Sequence, residues 1–526
     1  MVYPVADRLL LVTLVHAIFA QFGDAMMGCF NLLNVPIRRF FNESLSSHYG
    51  MITEERFEFL FSLSASAMFV GLLVGFASMG WLMDNLGRKE TAVYLRCFLG
   101  VLGSVSMLSA HLTGFCEFFI FGHFIAGVVG GLKVVLIIYM AECSPDNKRG
   151  LSSVAINSGG QITLLLITPL CLPALIGTDD LWFLLPCLTA LMALLHLSIA
   201  AFFPQSPKQL YIQKHDEEAA RKSLRFYYGD NKDIEIDEAI FEMDAENASL
   251  REDSMKICGI LKHDDYRFSF FLVFICAIVP VFSAFNIKTQ YFLRLLISYG
   301  LTQSEATTAM LIISAVSVPV CFIAPILIER IGRRPIFVTI TLLCTVEWIG
   351  LGLAQTFTDF GYESSLIWLT AVVGAILGQI AVNLGLLIMA PILMSEICPH
   401  NTRATISLYT QVPPMVIAAV EVTIFPTLRG TFGSSFFFFC AIACFVMAII
   451  LYMQMLETAG LPIDEILQNI TMSCRHTRRH TVGAFGIRVF NEYGTMKNYF
   501  YLDDDDDELN EDTPVQRKRS NTVSMF

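Results

Sequence analysis

The chain has 526 residues, 55% of them hydrophobic and 16% charged, with a net charge of −12 and a mean hydropathy of +0.59. A soluble protein of this size carries roughly a quarter charged residues. Here the apolar residues come in runs of about twenty, the length that crosses a bilayer core. That excludes a soluble enzyme or nucleic-acid binder and leaves a polytopic membrane protein.

Taken in chain order, the apolar runs predict twelve transmembrane helices at 9–33, 57–83, 91–112, 116–142, 151–175, 180–203, 266–293, 304–328, 336–357, 365–396, 404–427 and 434–455. The first loop holds Asn42-Glu43-Ser44, an acceptor for N-glycosylation. Connections after even-numbered spans carry Arg88 and Lys89, then Lys148 and Arg149, then Arg330, Arg333 and Arg334, then Arg403. Loops such as Ile176–Asp180 have no Lys or Arg. The positive-inside rule then places both termini in the cytoplasm. Four units follow: an N-terminal six-helix half at 1–203, a cytoplasmic helical segment at 204–265, a C-terminal six-helix half at 266–455, and a cytoplasmic tail at 456–526, largely disordered after 470. The acidic run 503–508 reads as a solvated part of that tail. Thr481 and Ser520 follow basic residues there, as basophilic kinases prefer.

The fourteen cysteines are scattered, with no C-x-x-C pair, so reduced thiols and neither a metal site nor a cofactor are expected. No phosphate-cradling glycine loop or nucleophile motif points to an enzyme. Asp24, Arg96, His123, Lys133, Lys288, Glu347 and Glu421 fall inside spans, where ionisable groups are costly. Asp24 with His123 or Lys133 is read either as a structural pair or as a proton relay.

Two phrases occur twice. Glu142-x-x-Pro145-x-Asn147-x-Arg149 returns as Glu396-x-x-Pro399-x-Asn401-x-Arg403, and Asp84-x-x-Gly87-Arg88-Lys89 returns as Glu329-x-x-Gly332-Arg333-Arg334. Two motifs in register argue for duplicated six-helix halves, an architecture with its solute site near midplane between the halves. Arginine offers a permanently charged, planar donor to neighbouring carboxylates. The set Asp84, Arg88, Lys89, Glu142, Arg149, Glu329, Arg330, Arg333, Arg334, Glu396 and Arg403 is therefore expected to act as a conformational latch on the inner face.

These residues resemble the facilitative sugar (glucose) transporter family of the major facilitator superfamily. Gly80-x-x-x-Asp84-x-x-Gly87-Arg88-Lys89 is similar to the superfamily's loop signature. Pro204–Lys208 (PQSPK) and Leu456–Ile466 (LETAGLPIDEI) resemble two motifs specific to sugar porters. The resemblance implies the major facilitator fold, an all-α membrane protein of two six-helix pseudo-repeats. It also implies short cytoplasmic helices in 204–265.

At the solute-facing positions the likeness is partial. The family's span-seven Gln-Gln-x-Ser-Gly-x-Asn reads Pro280–Asn286 here, keeping Ser283 and Asn286 without the glutamines. The span-five glutamine position is Asn157, with Gln161 one turn on. Ser317 stands at the span-eight asparagine and Asn383 at an acidic position of span ten. The expected solute set is Asn157, Gln161, Ser283, Asn286, Tyr291, Ser317 and Asn383. Counted at 1.5 Å per residue from the repeated-phrase ends, Gln161 and Asn383 reach similar depth, about 18 and 20 Å. The expected function is facilitated diffusion of a hexose or similar polyol by alternating access. A proton-coupled symporter and a non-transporting sensor are the alternatives. The expected partners are the solute, the bilayer and tail kinases, with no nucleic acid, and the plasma membrane is the expected location.

Overall fold

A computed structural model describes residues 6–229, 232–249, 256–362, 365–398, 400–455 and 457. Thr481 and Ser520 lie outside them. Every regular element among the described residues is helical. Eleven helices are long and apolar enough to cross a membrane: α1 (Arg8–Leu32), α2 (Glu54–Asn85), α3 (Glu90–Thr113), α4 (Cys116–Cys143), α5 (Ser152–Cys171), α7 (Tyr266–Ser298), α8 (Gln303–Ile331), α9 (Arg333–Asp359), α10 (Ser365–Met394), α11 (Thr405–Phe432) and α12 (Ser434–Gln454). A shorter apolar helix, α6 (Leu184–Ala200), completes the twelve. Their outward faces present Leu, Ile, Val and Phe, as lipid contact requires.

The helices alternate in direction, so the two repeated phrases share one end of the bundle, here called the motif end. Beneath it lie Glu217–Tyr228 and Asp233–Ser249, joined by a small core of Leu210, Ala220, Leu224, Ile236, Ile240 and Met243. Tyr139 of α4 ties this segment to the bundle through the Tyr227 hydroxyl, 2.8 Å away. At the opposite end, the loop after α1 forms the helix Asn34–Tyr49, with Asn42 exposed on it.

Close packing needs small residues where helices touch, since lipid offers apolar groups no reason to separate from it. Between α2 and α4 the contact is made by glycines. A Cβ on Gly71 would stand 2.0 Å from the Phe124 carbonyl oxygen, and one on Gly127 would stand 2.0 Å from that of Met68.

Four spans are interrupted. α1 breaks at Ala20–Gln21, α4 at Leu132, α7 at Ser283–Ala284 and α10 around Gly385. A break frees carbonyls that water cannot reach, so side chains must satisfy them. Arg96 of α3, fully buried, serves two breaks at once. Its Nη1 donates to the Ala20 oxygen at 2.7 Å and its Nε to the Val129 oxygen at 3.0 Å. Its guanidinium also lies over the Phe22 ring, 4.7 Å from the centroid. In the second half, Trp348 of α9 donates Nε1 to the Phe282 oxygen at 2.7 Å. Gln21, at the α1 break itself, adds donations to the His16 and Ile156 oxygens.

This arrangement ranks two substitutions. Arg96→Met strands two buried carbonyls, at about 1–3 kcal/mol each, whereas Trp348→Phe removes one of two donors and leaves the Phe282 oxygen with the Cys444 thiol, 2.9 Å away. Both proteins should melt below the wild type in detergent, Arg96→Met further. Equal melting would show that the breaks are held by other contacts.

Candidate functional site

Three polar regions lie along the bundle. At the motif end the doubled phrases fold into doubled geometry. Gly87 and Gly332 both adopt positive φ, +112° and +102°. There a side chain would be strained and would also collide: a Cβ at Gly87 meets the Gln209 amide and one at Gly332 meets the Glu457 carboxylate. Gln209 accepts from the Arg88 backbone N–H at 2.9 Å, and Glu457 accepts from the Arg333 N–H at 2.8 Å. The following arginine side chains pair with the helix-end glutamates, Arg88 with Glu142 at 3.4 Å and Arg333 with Glu396 at 2.9 Å. Ser206 adds a hydrogen bond to Glu142. The next basic residue caps the last helix of its own half. Lys89 donates to the Ala201 and Phe203 oxygens at 2.7 and 2.6 Å, and Arg334 to that of Tyr452 at 2.5 Å.

These ion pairs join helices within a half: α3's start to α4's end, and α9's start to α10's end. Asp84, Glu329 and Arg330 are exposed and make no ion pair among the described residues. The side chains of Arg149 and Arg403 lie outside the described ones.

The described ion pair that crosses between the halves is at the opposite end. Glu58 of α2 accepts two hydrogen bonds from Arg294 of α7, at 2.8 and 2.7 Å, and one from Arg38 at 2.5 Å. Arg38 also reaches Glu54 at 2.9 Å. Nearby, Asn31 of α1 bonds the α7 backbone twice, donating to the Lys288 oxygen and accepting from the Leu293 N–H. A cavity of about 340 Å³, lined by Asn34, Arg38, Arg39, Glu54 and Arg294 among others, opens beside this cluster. Its charged lining is spent on ion pairs, Arg39 with Asp179 at 2.6 Å and the others within this cluster.

Near mid-depth the seven expected solute residues divide. Asn157 is exposed and Gln161 partly so, and Gln161 accepts from the Gln379 side chain of α10 at 3.3 Å. Asn383, 8% exposed, donates to the Ser317 carbonyl at 2.8 Å, while its own Oδ1 has no hydrogen-bond partner. The other side chains face their own half. Ser283 donates to the Pro280 oxygen at the α7 break, and the Ser317 hydroxyl to Ser314. Asn286 donates to Glu421 at 3.1 Å and Tyr291 to the Val422 oxygen at 3.1 Å, joining α7 to α11. Reading one helix at a time overlooked Gln379 and Gln290. Both are amides inside apolar spans, which was the available signal.

Four of the intramembrane ionisable residues form two ion pairs. Lys133 Nζ stands 2.7 Å from Asp24, linking α4 to α1 across their breaks. Lys288 meets Glu347 at 2.5 Å in the second half. His123 belongs elsewhere: its ring stacks on Phe30 and its Nε2 lies 3.3 Å from the Gln290 side-chain oxygen of α7.

Two six-helix halves, with broken first and fourth helices and polar groups at mid-depth between them, define a membrane carrier. The family model described as "Sugar (and other) transporter" matches residues 12–469, and the chain belongs to that family. Among curated proteins it is similar to the solute carrier family 2, facilitated glucose transporter member 5 of Equus caballus. They are 26% identical over 474 residues, 87% of this chain and 92% of the relative. Member 7 of Homo sapiens is 24% identical, over 86% of this chain and 89% of its own. Of solved structures, the inward-open xylose transporter XylE from E. coli superposes with a TM-score of 0.68 at 17% identity, covering 88% of this chain and 99% of that one. The proton:xylose symporter XylE bound to 6-bromo-6-deoxy-D-glucose gives 0.67 at 19% identity, covering 89% and 99%. The chain is a multi-pass membrane transporter, not an enzyme.

The Asp24–Lys133 pair yields a test of its role. Removing one partner leaves an uncompensated charge in a low-dielectric setting, at a cost of about 3–5 kcal/mol, whereas removing both restores much of it. Asp24→Asn and Lys133→Met should each lower the melting temperature in detergent, and the double substitution should recover most of the loss. A double substitution as unstable as the singles would mean that each residue serves a separate partner.

Proposed function

We propose that the protein carries a hexose or similar polyol down its gradient by alternating access. The observation that supports this most directly is the unspent hydrogen-bonding capacity at mid-depth: exposed Asn157, the partly exposed Gln161 and Gln379, and the unpartnered Oδ1 of Asn383. Neutral amides suit hydroxyls, and each buried hydroxyl left without a partner costs about 1–3 kcal/mol. Both termini and the motif end are cytoplasmic by the distribution of basic residues, and the plasma membrane is the proposed location. Asn42 then faces outside, on the side where glycosylation occurs. The tail residues Thr481 and Ser520 are proposed substrates of basophilic kinases.

Asp24 carries its own counter-ion in Lys133, so uncoupled transport is the reading its geometry favours over proton symport. The expected inner latch is complemented here by an outer one. With Glu58 clamped between Arg38 and Arg294, the outer ends of the two halves are held together. The pairs Arg88–Glu142 and Arg333–Glu396 keep each half rigid while it rocks.

The carrier reading is tested by uptake of a labelled hexose and polyol panel into a sugar-transport-null host, with and without a pH gradient. Uptake unaffected by the gradient is expected. Gradient-dependent uptake would replace uniport with symport, and no uptake at all would favour a sensor. Gln161→Ala and Asn383→Ala should each raise half-saturation by an amount worth about 1–3 kcal/mol, with expression near normal. Unchanged half-saturation would confine these amides to helix packing. Arg294→Ala should shift the equilibrium toward outward-open by about 1.5–3 kcal/mol, the worth of hydrogen bonds to a charged group. Cysteine labelling of the outer cavity should rise accordingly; an unchanged rate would remove the outer latch.

A further inference from the structure

The bond between Gln161 and Gln379 is made by two neutral side chains from opposite halves. Gln161 lies on α5 and Gln379 on α10, each well inside its helix. In a protein whose halves must move against each other, a bond at that depth is either a fixed strut or a place where a third group enters.

The chemistry favours entry. The contact is long, 3.3 Å, and each amide has two N–H donors and two acceptor lone pairs. One donor of Gln379 and one lone pair of Gln161 are used. Neither makes another hydrogen bond among the described residues, and both are partly exposed. Asn383 sits one turn further along α10, more than nine-tenths buried. It spends its amide nitrogen on the Ser317 carbonyl and leaves Oδ1 unpartnered. On α5, Asn157 lies one turn from Gln161, exposed and unpaired among the described residues. Donors and acceptors are thus displayed in pairs, one helical turn apart, on both sides of the seam, and this set contains no charged group.

We infer that Gln379 is a solute-contacting residue that pairs with Gln161 to grip a vicinal diol of a neutral sugar or polyol from both halves. Each hydroxyl of such a diol both donates and accepts, which matches an amide on either side. The Gln161–Gln379 bond then stands in for the solute when the site is empty. Insertion of the diol exchanges one amide–amide bond for several amide–hydroxyl bonds spanning the seam, so binding itself couples the halves. Specificity follows from the same geometry. A site built to pair hydroxyls strongly disfavours an analogue lacking one, because a buried amide is left without a partner. The inference rests on the carrier reading proposed above.

The test uses the full-length protein reconstituted in vesicles. Wild-type uptake of the hexose and polyol panel is measured first; if no member is taken up, the carrier reading fails and this inference fails with it. Where the wild type transports, Gln379→Ala should raise half-saturation about tenfold, the effect of losing one buried hydrogen bond of typical strength. Maximal rate and surface amount should stay near the wild-type values. Discrimination between the parent sugar and its mono-deoxy analogues should shrink in Gln379→Ala. In the double substitution with Gln161→Ala, the two effects should be less than additive. Gln379→Asn, which keeps the amide one methylene shorter, should recover part of the affinity. If Gln379→Ala lowers only maximal rate or surface amount, with half-saturation and analogue ranking unchanged, the pair is a strut and the inference is overturned while the carrier reading stands.

Discussion

Every backbone polar group inside a bilayer must find its partner within the protein, and this chain has broken four of its spans. That requirement explains residues that would otherwise look misplaced. Arg96 is fully buried in an apolar span because carbonyls at two breaks, in α1 and α4, need a donor with two arms. A lysine would supply a point charge without the fork. Trp348 serves the α7 break with its single N–H. The breaks also permit Asp24 and Lys133 to meet, since both sit where the helical course is interrupted. A carrier gains from such breaks because unwound backbone lets polar side chains line the seam at mid-depth. It then needs these internal donors to keep the fold intact.

The duplicated halves solve the boundary problem identically. In each, a glycine at positive φ turns the chain and a side chain from a distant segment receives the backbone N–H groups beyond it. An arginine then binds the glutamate at the end of the fourth helix, and a second basic group caps the sixth. Gln209 plays this receiving role in the first half and Glu457 in the second. A neutral amide against one N–H and a carboxylate against two is the main chemical difference between the copies. Because these bonds stay inside a half, they set rigid bodies. The charge cluster at the opposite end, Arg38–Glu58–Arg294, is the one positioned to sense their separation.

Much of the architecture was legible in the residues. Hydropathy runs located the twelve helices, because lipid imposes length and apolarity on each one separately. The glycine–arginine phrases located the motif end because a repeat announces itself at a constant offset. Pairings across helices were not legible. Glu58 and Arg294 are 236 positions apart, each near the edge of an apolar run, and nothing in either run marks the rotation that brings them together. The same holds for Gln161 with Gln379. The mid-depth set shows both outcomes: Gln161 and Asn383 could be placed at one depth by counting residues along straight helices, whereas Ser283 and Tyr291 are spent on backbone oxygens, which depends on the α7 break and on its packing against α11. Asp24 had two candidate partners in the sequence, and the structure pairs it with Lys133 while His123 faces Gln290.

On the function proposed, the seam between the halves binds a neutral polyhydroxylated solute and delivers it across the membrane. Entrance counterflow in vesicles addresses this most directly. Vesicles loaded with unlabelled hexose or polyol and diluted into a trace of the labelled form should accumulate label transiently above its external concentration, without any pH gradient. Label that never rises above that of protein-free vesicles, for every solute in the panel, would contradict the account.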